Sequence, residues 1–382
     1  MPLTAEQLQK IRETEFPVLQ HYVPFNHAGV APVCTRASVA AAHFAARAAR
    51  IGPAEYDEWM KRLEKVRGLA SWFVGAQPDE IAFVRNTSHG LSLVAQGLEW
   101  KPGDNVVTTD AEFPSNLFPW QHLKSEGVEL RLVSAKERAP TLEDFSSKMD
   151  SRTRLLSISH VEFSTGCRFD LKALSDLAHS KGALFCVDAI QSLGVLPVNV
   201  ERQGIDFLAA DGHKWLCSFE GTGIFYCRKS LLPKLTPVLV GWNTVQKNHE
   251  FEKPELSFPD HARKFEEGSL PLVSIFALEK ALELFAEVGI DEVERRALGV
   301  AGLIRDEIKK RGLEVISQKG PGGFSPIVVF KGDFDTQAVF EKLSKENCQI
   351  APRGGGLRLS PHFYNDETDV KRFWGKFEKA IR

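Results

Sequence analysis

The sequence has few cysteines and none of the cysteine patterns that bind metals or form disulfide frameworks. Its 382 residues include six cysteines, and no two of them form a C-x-x-C pair. Scattered cysteines of this kind indicate neither a disulfide scaffold nor a zinc site, so we expect no bound metal. They fit a reducing compartment, and the expected location is the cytoplasm.

Charge and hydropathy exclude two further classes of protein. The formal net charge is −2, whereas nucleic-acid-binding proteins usually carry a basic excess, so no nucleic-acid partner is expected. No apolar run approaches the roughly 20 residues that a membrane-spanning helix needs, and no signal peptide is apparent. With 43% hydrophobic residues, the chain can bury a large core or form two domains.

Short apolar runs alternate with amphipathic stretches through the first 230 residues. One such stretch is Leu171–Lys181, whose leucines share one helical face. Strand, helix and strand in repetition predict an α/β fold with a mostly parallel sheet, in which ligands bind beyond the carboxyl ends of the strands. The predicted strands are Ile81–Val84, Asn105–Thr108, Leu130–Val133, Leu155–Ser159, Leu184–Val187, Phe207–Ala210 and Ile224–Cys227.

The pattern changes after about residue 230. A helix with an apolar face of Ile275, Leu278, Leu282 and Phe285 is followed by the predicted strands Leu313–Ile316, Pro326–Phe330 and Leu357–Ser360. We predict a large domain over residues 26–284 and a small α+β domain formed by residues 1–25 and 285–382. A small-molecule site is expected in the cleft between them.

Two charged residues follow neighbouring apolar runs. Asp188 ends one run, and Lys214 follows the next run after a Gly-His turn, so both are expected at the carboxyl edge of the sheet. Such a pair suits pyridoxal 5′-phosphate (PLP), because a lysine amine forms a Schiff base with its aldehyde and a carboxylate keeps its pyridine nitrogen protonated. Gln191 is placed to reach the phenolic oxygen O3′. Taken singly, a strand-end carboxylate and a surface lysine would be ordinary.

The sequences D-A-I-Q at residues 188–191 and G-H-K-W at residues 212–215 together resemble the class V aminotransferase family of fold-type I PLP enzymes. The resemblance covers nearly the whole chain. It implies a large domain with a mostly parallel seven-stranded sheet, a small α+β C-terminal domain, and PLP as cofactor. It also implies that Lys214 carries the Schiff base and that Asp188 pairs with the pyridine nitrogen.

A further segment resembles the phosphate-binding loop of this family. Asn86–Gly90 contains Thr87 and Ser88, which we predict to precede a helix over Leu91–Glu99. Hydroxyls and free N–H groups at the positive end of a helix bind a phosphate dianion well. An ordinary helix N-cap is the alternative explanation of the two residues.

Several positions depart from the family pattern. Phe113 lies in the segment that stacks a ring on the cofactor, where cysteine desulfurases usually have histidine, so a proton donor is missing there. Phe163 stands where asparagine is common, which leaves Gln191 as the partner of O3′. His213 resembles the histidine near the phosphate, although a turn residue is the alternative. Asp211 stands where many relatives have serine or threonine, and it is not expected to bind phosphate because its charge would repel it.

Substrate and subunit contacts are implied in the same way. Tyr22–Pro32 resembles the segment that enters the active site, which makes Asn26 a substrate-binding candidate. Arg358 resembles the arginine that binds the substrate carboxylate, a geometry that guanidinium groups favour, with Arg353 as the second choice. The segment ending at Ser269 resembles one that crosses to a neighbouring subunit, so a homodimer with shared sites is expected. A helix N-cap is the alternative for Ser269.

The implied substrate is an amino acid, and the reaction depends on the C-terminal loop. A desulfurase carries a persulfide cysteine between two arginines there, but only four residues separate Arg353 from Arg358, and Cys348 precedes both. We therefore predict an epimerase or C–S/β-lyase, similar to isopenicillin N epimerase. A cysteine desulfurase that uses Cys348 or an external thiol, and a class V aminotransferase, are the alternatives. A degenerate PLP-binding protein without catalysis is the non-enzymatic alternative.

Overall fold

The structure, a computed structural model, describes residues 3–250, 252 and 254–382. Its strands are β1 (Val23–Pro24), β2 (Ile81–Val84), β3 (Asn105–Thr109), β4 (Glu129–Val133), β5 (Thr153–Ser159), β6 (Leu184–Asp188), β7 (Phe207–Asp211), β8 (Gly223–Cys227), β9 (Glu314–Val315), β10 (Val328–Lys331), β11 (Cys348–Gln349), β12 (Ala351–Arg353) and β13 (Gly356–Leu359). Its helices are α1 (Ala5–Glu15), α2 (Thr35–Ile51), α3 (Tyr56–Val74), α4 (Thr87–Gly97), α5 (Phe118–His122), α6 (Leu142–Lys148), α7 (Leu171–Ser180), α8 (Leu272–Val288), α9 (Ile290–Lys310), α10 (Thr336–Lys345) and α11 (Glu367–Ala380).

The seven apolar runs of the first 230 residues form one sheet. The strand order is β2-β8-β7-β6-β5-β3-β4. Neighbouring strands from β7 to β4 pair in parallel, and β8 runs antiparallel to both β7 and β2. Strands β6, β7 and β8 are buried along almost their whole length, which explains why they read as continuous apolar runs rather than alternating ones. The predicted mostly parallel seven-stranded sheet is confirmed.

Helix α4 lies unusually close to this sheet because Gly90 has no side chain. A Cβ atom at Gly90 would lie 2.7 Å from the Cβ of Ala209 in β7. The close approach brings the N-terminus of α4 to the carboxyl end of β7, where Lys214 follows. The predicted bounds of this helix, Leu91–Glu99, are wrong: Asn86 is the N-cap, so α4 begins four residues earlier, at Thr87, and ends at Gly97.

The C-terminal part forms a second, smaller layer. Its four-stranded antiparallel sheet has the order β12-β13-β10-β9, and a separate parallel pair joins β1 to β11. Apolar side chains of α9, α10 and α11 cover this sheet in a core of its own. The predicted small α+β unit is confirmed, although β1, β11 and β12 escaped prediction. The predicted boundary after residue 284 falls inside α8, and the division into domains stays a prediction.

None of the helices in the described part of the chain combines the length and apolarity needed to cross a membrane.

Candidate active site

Asp188 and Lys214 lie on neighbouring strands at the carboxyl edge of the large sheet. Asp188 is the last residue of β6 and is 1% exposed; its Oδ1 accepts a hydrogen bond of 2.9 Å from the backbone N–H of Ile190. Lys214 lies in the turn that follows β7, where the N–H of Cys217 donates to the Lys214 carbonyl over 3.0 Å. Because β6 and β7 are parallel neighbours, both side chains enter the same space.

That space is a cavity of about 340 Å³. Nine of the eleven residues that the sequence singled out line it: Thr87, Ser88, Phe113, Asp188, Gln191, His213, Lys214, Arg353 and Arg358. Asn26 and Ser269 are not among its lining residues. Asn86, Ser115 and Ile190 also line the cavity, and no role was predicted for them individually.

The charges of Lys214 and Asp188 are both shifted toward neutrality by burial. Burial lowers the pKa of Lys214 to about 8, against the opposing effect of Asp188. Burial also raises the pKa of Asp188 to about 6, although the Ile190 N–H and Lys214 counteract it. Near neutral pH, Asp188 is therefore still largely ionised, while a useful fraction of Lys214 is the neutral amine that acts as a nucleophile.

The N-terminus of α4 supplies the polar groups at one end of the cavity. Asn86 is the N-cap, and its side chain accepts from the His89 N–H over 2.9 Å, so Thr87 and Ser88 are not caps but first-turn residues. Thr87 Oγ1 accepts from the Asp211 N–H over 3.1 Å, and Ser88 Oγ lies 2.7 Å from Ser115 Oγ. Free N–H groups of a first turn and two hydroxyls suit a phosphate.

The carboxylate of Asp211 already has contacts within the protein. Its Oδ1 accepts from the Gly212 N–H over 2.7 Å. Its Oδ2 lies 2.9 Å from His213 Nδ1. These contacts agree with leaving Asp211 out of the predicted phosphate ligands.

Gln191 has limited capacity left for a ligand. Its Nε2 donates to the Ala28 carbonyl over 3.0 Å, and its Oε1 accepts from Trp215 Nε1 over 2.9 Å. Only the second amide hydrogen remains for the predicted contact with O3′.

Phe113 presents its ring to the lysine. Lys214 Nζ lies 5.6 Å from the centroid of the ring, and Phe163 packs edge-on against it with centroids 5.1 Å apart. The Phe113 side chain is 43% exposed, so an aromatic face lies open at the mouth of the cavity.

Arg358 on β13 is buried with a guanidinium group that is only partly satisfied. Its Nη1 donates to the Phe163 carbonyl over 2.8 Å, its Nη2 donates to Asn26 Oδ1 over 3.3 Å, and its Nε has no partner. Burial, with a smaller effect of Arg353, lowers its pKa to about 10. Asn26 thus holds the arginine and does not itself line the cavity, whereas the free edge of Arg358 suits a carboxylate.

The connection between Arg353 and Arg358 is a two-residue hairpin turn. Gly354 and Gly355 both adopt positive φ, at 64° and 83°, which glycine tolerates without strain. The hairpin leaves no loop that could carry a mobile cysteine. Cys348 lies in β11, is 3% exposed, and packs in the core of the smaller layer. All six cysteines are free and buried, and none lines the cavity.

Ser269 lies away from the lysine. It lines two other cavities, of about 660 Å³ and about 330 Å³. Helix α8 begins at Leu272 after Pro271, with no side-chain cap, so the N-cap alternative for Ser269 is wrong. Within one chain, Ser269 contributes nothing to the cavity of Lys214.

Sequence reasoning missed a buried carboxyl group beside the site. Glu112 accepts from both the N–H and the hydroxyl of Ser159, the residue that pairs with Asp188 across β5 and β6. Burial raises the pKa of Glu112 to about 8, so near neutral pH this group is largely neutral. Its position next to Phe113 in the chain was visible, but no periodic pattern distinguishes a buried glutamate from an exposed one.

The residues present fit the cofactor that the sequence resemblance implies. One cavity brings together an amine for the aldehyde, a buried carboxylate for the pyridine nitrogen, an aromatic face for the ring and a helix N-terminus for the phosphate. In the described part of the chain, no cluster of three or more histidine, cysteine, aspartate or glutamate side chains could hold a metal ion.

Comparison with known proteins gives consistent matches along the chain. A sequence model of the family described as Aminotransferase class-V matches residues 28–373. A probable cysteine desulfurase of Methanothermobacter thermautotrophicus is 29% identical over 81% of this chain and 82% of its own length, and one of Synechocystis sp. is 31% identical over 84% and 80%. Isopenicillin N epimerase of Amycolatopsis lactamdurans is 28% identical over 78% and 80%.

Solved structures share the fold. The apo structure of a cysteine desulfurase from Thermococcus onnurineus NA1 superposes with a TM-score of 0.88 at 23% identity, covering 98% of both chains. A cystine C–S lyase in complex with its reaction product, cysteine persulfide, superposes with a TM-score of 0.89 at 21% identity, covering 95% of this chain and 99% of the other. At these identities the likeness concerns the fold.

Proposed function

The chain belongs to the class-V aminotransferase family, and we propose that it is a PLP-dependent enzyme that cleaves the C–S bond of a cysteine-type amino acid. Curated relatives named as probable cysteine desulfurases recur among the matches, whereas one of those reported is an epimerase. The comparisons therefore favour the desulfurase alternative over the epimerase that the sequence put first. The sequence put an epimerase or a C–S/β-lyase first, and the proposed C–S cleavage agrees with the lyase but not with the epimerase.

The residues of the cavity divide the work of this reaction. Bound PLP supplies an electron sink for negative charge at the substrate Cα. Asp188 holds a proton at the pyridine nitrogen, and Lys214 anchors the cofactor and then moves the proton at Cα, for which a pKa of about 8 is well suited. Arg358 holds the α-carboxylate through its unpaired edge. The hydroxyls of Thr87 and Ser88 and the first turn of α4 bind the phosphate.

The observation that shapes the proposal is the lack of any thiol in the cavity. All six cysteines are buried away from it, and the Gly354–Gly355 turn excludes a cysteine-bearing loop. We propose that sulfur passes to a thiol in solution: the C–S bond of L-cysteine breaks, an S–S bond to the acceptor thiol forms, and Cβ takes up a proton to give L-alanine. Without an acceptor, elimination releases hydrosulfide, and hydrolysis of the remaining three-carbon fragment yields pyruvate and ammonia.

The proposed enzyme is a homodimer with shared sites. Ser269 has no role at the Lys214 cavity of its own chain, and the open ring of Phe113 lies at the cavity mouth. Two exposed apolar side chains, Phe118 at 63%, which follows Phe113 by five residues, and Val240 at 53%, are costly to leave in water and suit a subunit interface. Ser269 of one subunit would then complete the phosphate site of the other.

The test is a product analysis with purified enzyme and PLP. L-Cysteine with and without dithiothreitol, and L-cystine, would be assayed for sulfide, alanine, pyruvate and inverted amino acid, with Lys214→Ala as the inactive control. Sulfur release with alanine or pyruvate supports the proposal. Inversion without sulfur release would instead support an epimerase, and amino transfer to a keto acid would support an aminotransferase. If no amino acid changes the spectrum of the bound cofactor, the non-enzymatic alternative stands.

A further inference from the structure

Arg353 and Arg358 lie on the same face of one hairpin. In the antiparallel pair of β12 and β13, Ala351 is opposite Arg358 and Arg353 is opposite Gly356. Ala351 and Arg353 are two residues apart on β12 and therefore share a face, and Arg358 on β13 is directly opposite Ala351. The two arginines are thus diagonal neighbours on that face, a relationship with a typical separation of about 7–8 Å. Both line the cavity of Lys214.

Neither arginine has an acidic partner within the described residues. Arg358 bonds only to the Phe163 carbonyl and Asn26 Oδ1, and Arg353 bonds only to the Pro352 carbonyl, over 2.9 Å. An arginine carries five N–H donors, so most of those on Arg353 are free. The acids of the cavity are already engaged: Asp188 faces the pyridine site, and Asp211 contacts Gly212 and His213.

The two guanidinium groups differ in a way that separates their roles. Arg358 is buried and fixed by two contacts. A fixed guanidinium group suits the α-carboxylate, because this carboxylate has the same position in every amino-acid substrate. Arg353 is exposed at the turn and held by one local contact. A long side chain with free donors at the rim can adapt to a group whose position varies with the substrate.

We propose that Arg353 is a specificity residue that binds a second anionic group, at the end of the substrate side chain. The substrate class is then an amino acid with an acidic side chain, such as a cysteine whose sulfur bears a carboxylated or otherwise anionic substituent. This inference adds a substrate class to the proposed function, and it rests on that function for the assignment of the C–S bond as the bond that breaks. The other two residues on this face of the hairpin are Ala351, opposite Arg358, and Gly356, opposite Arg353, so neither strand places a large side chain between the two arginines.

Isosteric acid and amide pairs give the test. Holoenzyme would be titrated with S-carboxymethyl-L-cysteine against S-carbamoylmethyl-L-cysteine, and with L-glutamate against L-glutamine, and the dissociation constants read from the cofactor absorption. Wild-type enzyme should bind each acid at least tenfold more tightly than its amide. Arg353→Gln should bring that ratio close to one, Arg353→Lys should retain part of it, and Arg154→Gln, at an exposed arginine elsewhere, should leave it unchanged.

The inference is overturned if wild-type enzyme does not discriminate, or if Arg353→Gln weakens acid and amide equally, as a second α-carboxylate contact would. Cofactor circular dichroism of each variant verifies that the site is intact. The same S-substituted cysteines separate this inference from the proposed function: acid preference in binding without any release of thiol would leave the role of Arg353 standing and refute C–S cleavage.

Discussion

His362 Nε2 donates a hydrogen bond of 2.8 Å to the backbone carbonyl of Trp215, the residue that follows Lys214. The direction is fixed because the N–H of Phe363 donates to His362 Nδ1 over 2.7 Å, so Nδ1 is the acceptor and Nε2 carries the proton. Burial holds the pKa of His362 well below its ordinary value, which keeps the ring neutral. A side chain of the C-terminal segment thus fixes the turn that carries the lysine.

His362→Phe should remove this donor and leave the Trp215 carbonyl buried and unsatisfied. We expect a loss of about 1–3 kcal/mol in the free energy of unfolding, together with a lower kcat because the lysine turn is less well fixed. Urea unfolding and steady-state kinetics measure the two effects. His362→Gln, which keeps a donor, should recover part of both, and His21→Phe, at an exposed histidine, should change neither. Equal stability of His362→Phe and His21→Phe would refute the role.

Lys214 should react as an amine of unusually low pKa. Its neutral fraction rises with pH through about 8, whereas an ordinary lysine side chain deprotonates near pKa 10.4, about two units higher. In the apo-enzyme, acylation of Lys214, followed by mass spectrometry with Nα-acetyl-lysine in the same tube, should level off at a lower pH than that of the reference amine.

The same labelling tests Asp188. The ionised carboxylate raises the pKa of Lys214, so Asp188→Asn should shift the labelling profile to still lower pH. The variant should keep its fold and lose most turnover, because an amide cannot hold the pyridine proton electrostatically. A profile that does not move, or near-normal turnover, would contradict this assignment.

Arg358→Leu should raise KM for every amino-acid substrate by at least about tenfold, since it removes the proposed carboxylate partner. Arg358→Lys should lie between, because lysine keeps the charge and loses the two-pronged geometry. Steady-state kinetics with saturating PLP separate KM from kcat. An unchanged KM in the leucine variant would indicate that Arg353, and not Arg358, binds the α-carboxylate.

No cysteine should be essential. Burial raises the pKa of Cys348 to about 11, so it is neither accessible nor a thiolate at neutral pH. Native enzyme treated with iodoacetamide at pH 7 should remain unlabelled by mass spectrometry, and Cys348→Ser should keep sulfur release within about threefold, the range of a change that removes no transition-state contact. If Cys348→Ser abolishes sulfur release from cysteine, the enzyme is a desulfurase with its own persulfide cysteine.

Subunit sharing can be tested by complementation. Light scattering should show a dimer, and Lys214→Ala and Ser269→Arg should each be inactive alone. Mixing them by partial unfolding and refolding creates heterodimers in which one site has both Lys214 and the partner's intact serine. Activity should then return, whereas a mixture that stays inactive while heterodimers form would place Ser269 outside the site.

The sequence by itself determined the central sheet and the two residues at its edge. Strands buried on both faces are continuous apolar runs, so β6, β7 and β8 were visible without any tertiary information, and the parallel pairing of β6 with β7 places Asp188 and Lys214 at one edge. The fold class and the small C-terminal layer followed in the same way, because local periodicity records which face of each element is buried.

Tertiary structure alone decided how the site is held. Arg358 owes its orientation to Phe163 and Asn26, which are 195 and 332 residues away in the chain, and the turn of Lys214 owes its support to His362, 147 residues beyond Trp215. The two-residue pair of β1 and β11 is likewise stabilised only by its surroundings. Such contacts join loops and strand ends, where the sequence has no periodic pattern of apolar residues that could predict them. They form only because particular chain segments meet when the two layers pack.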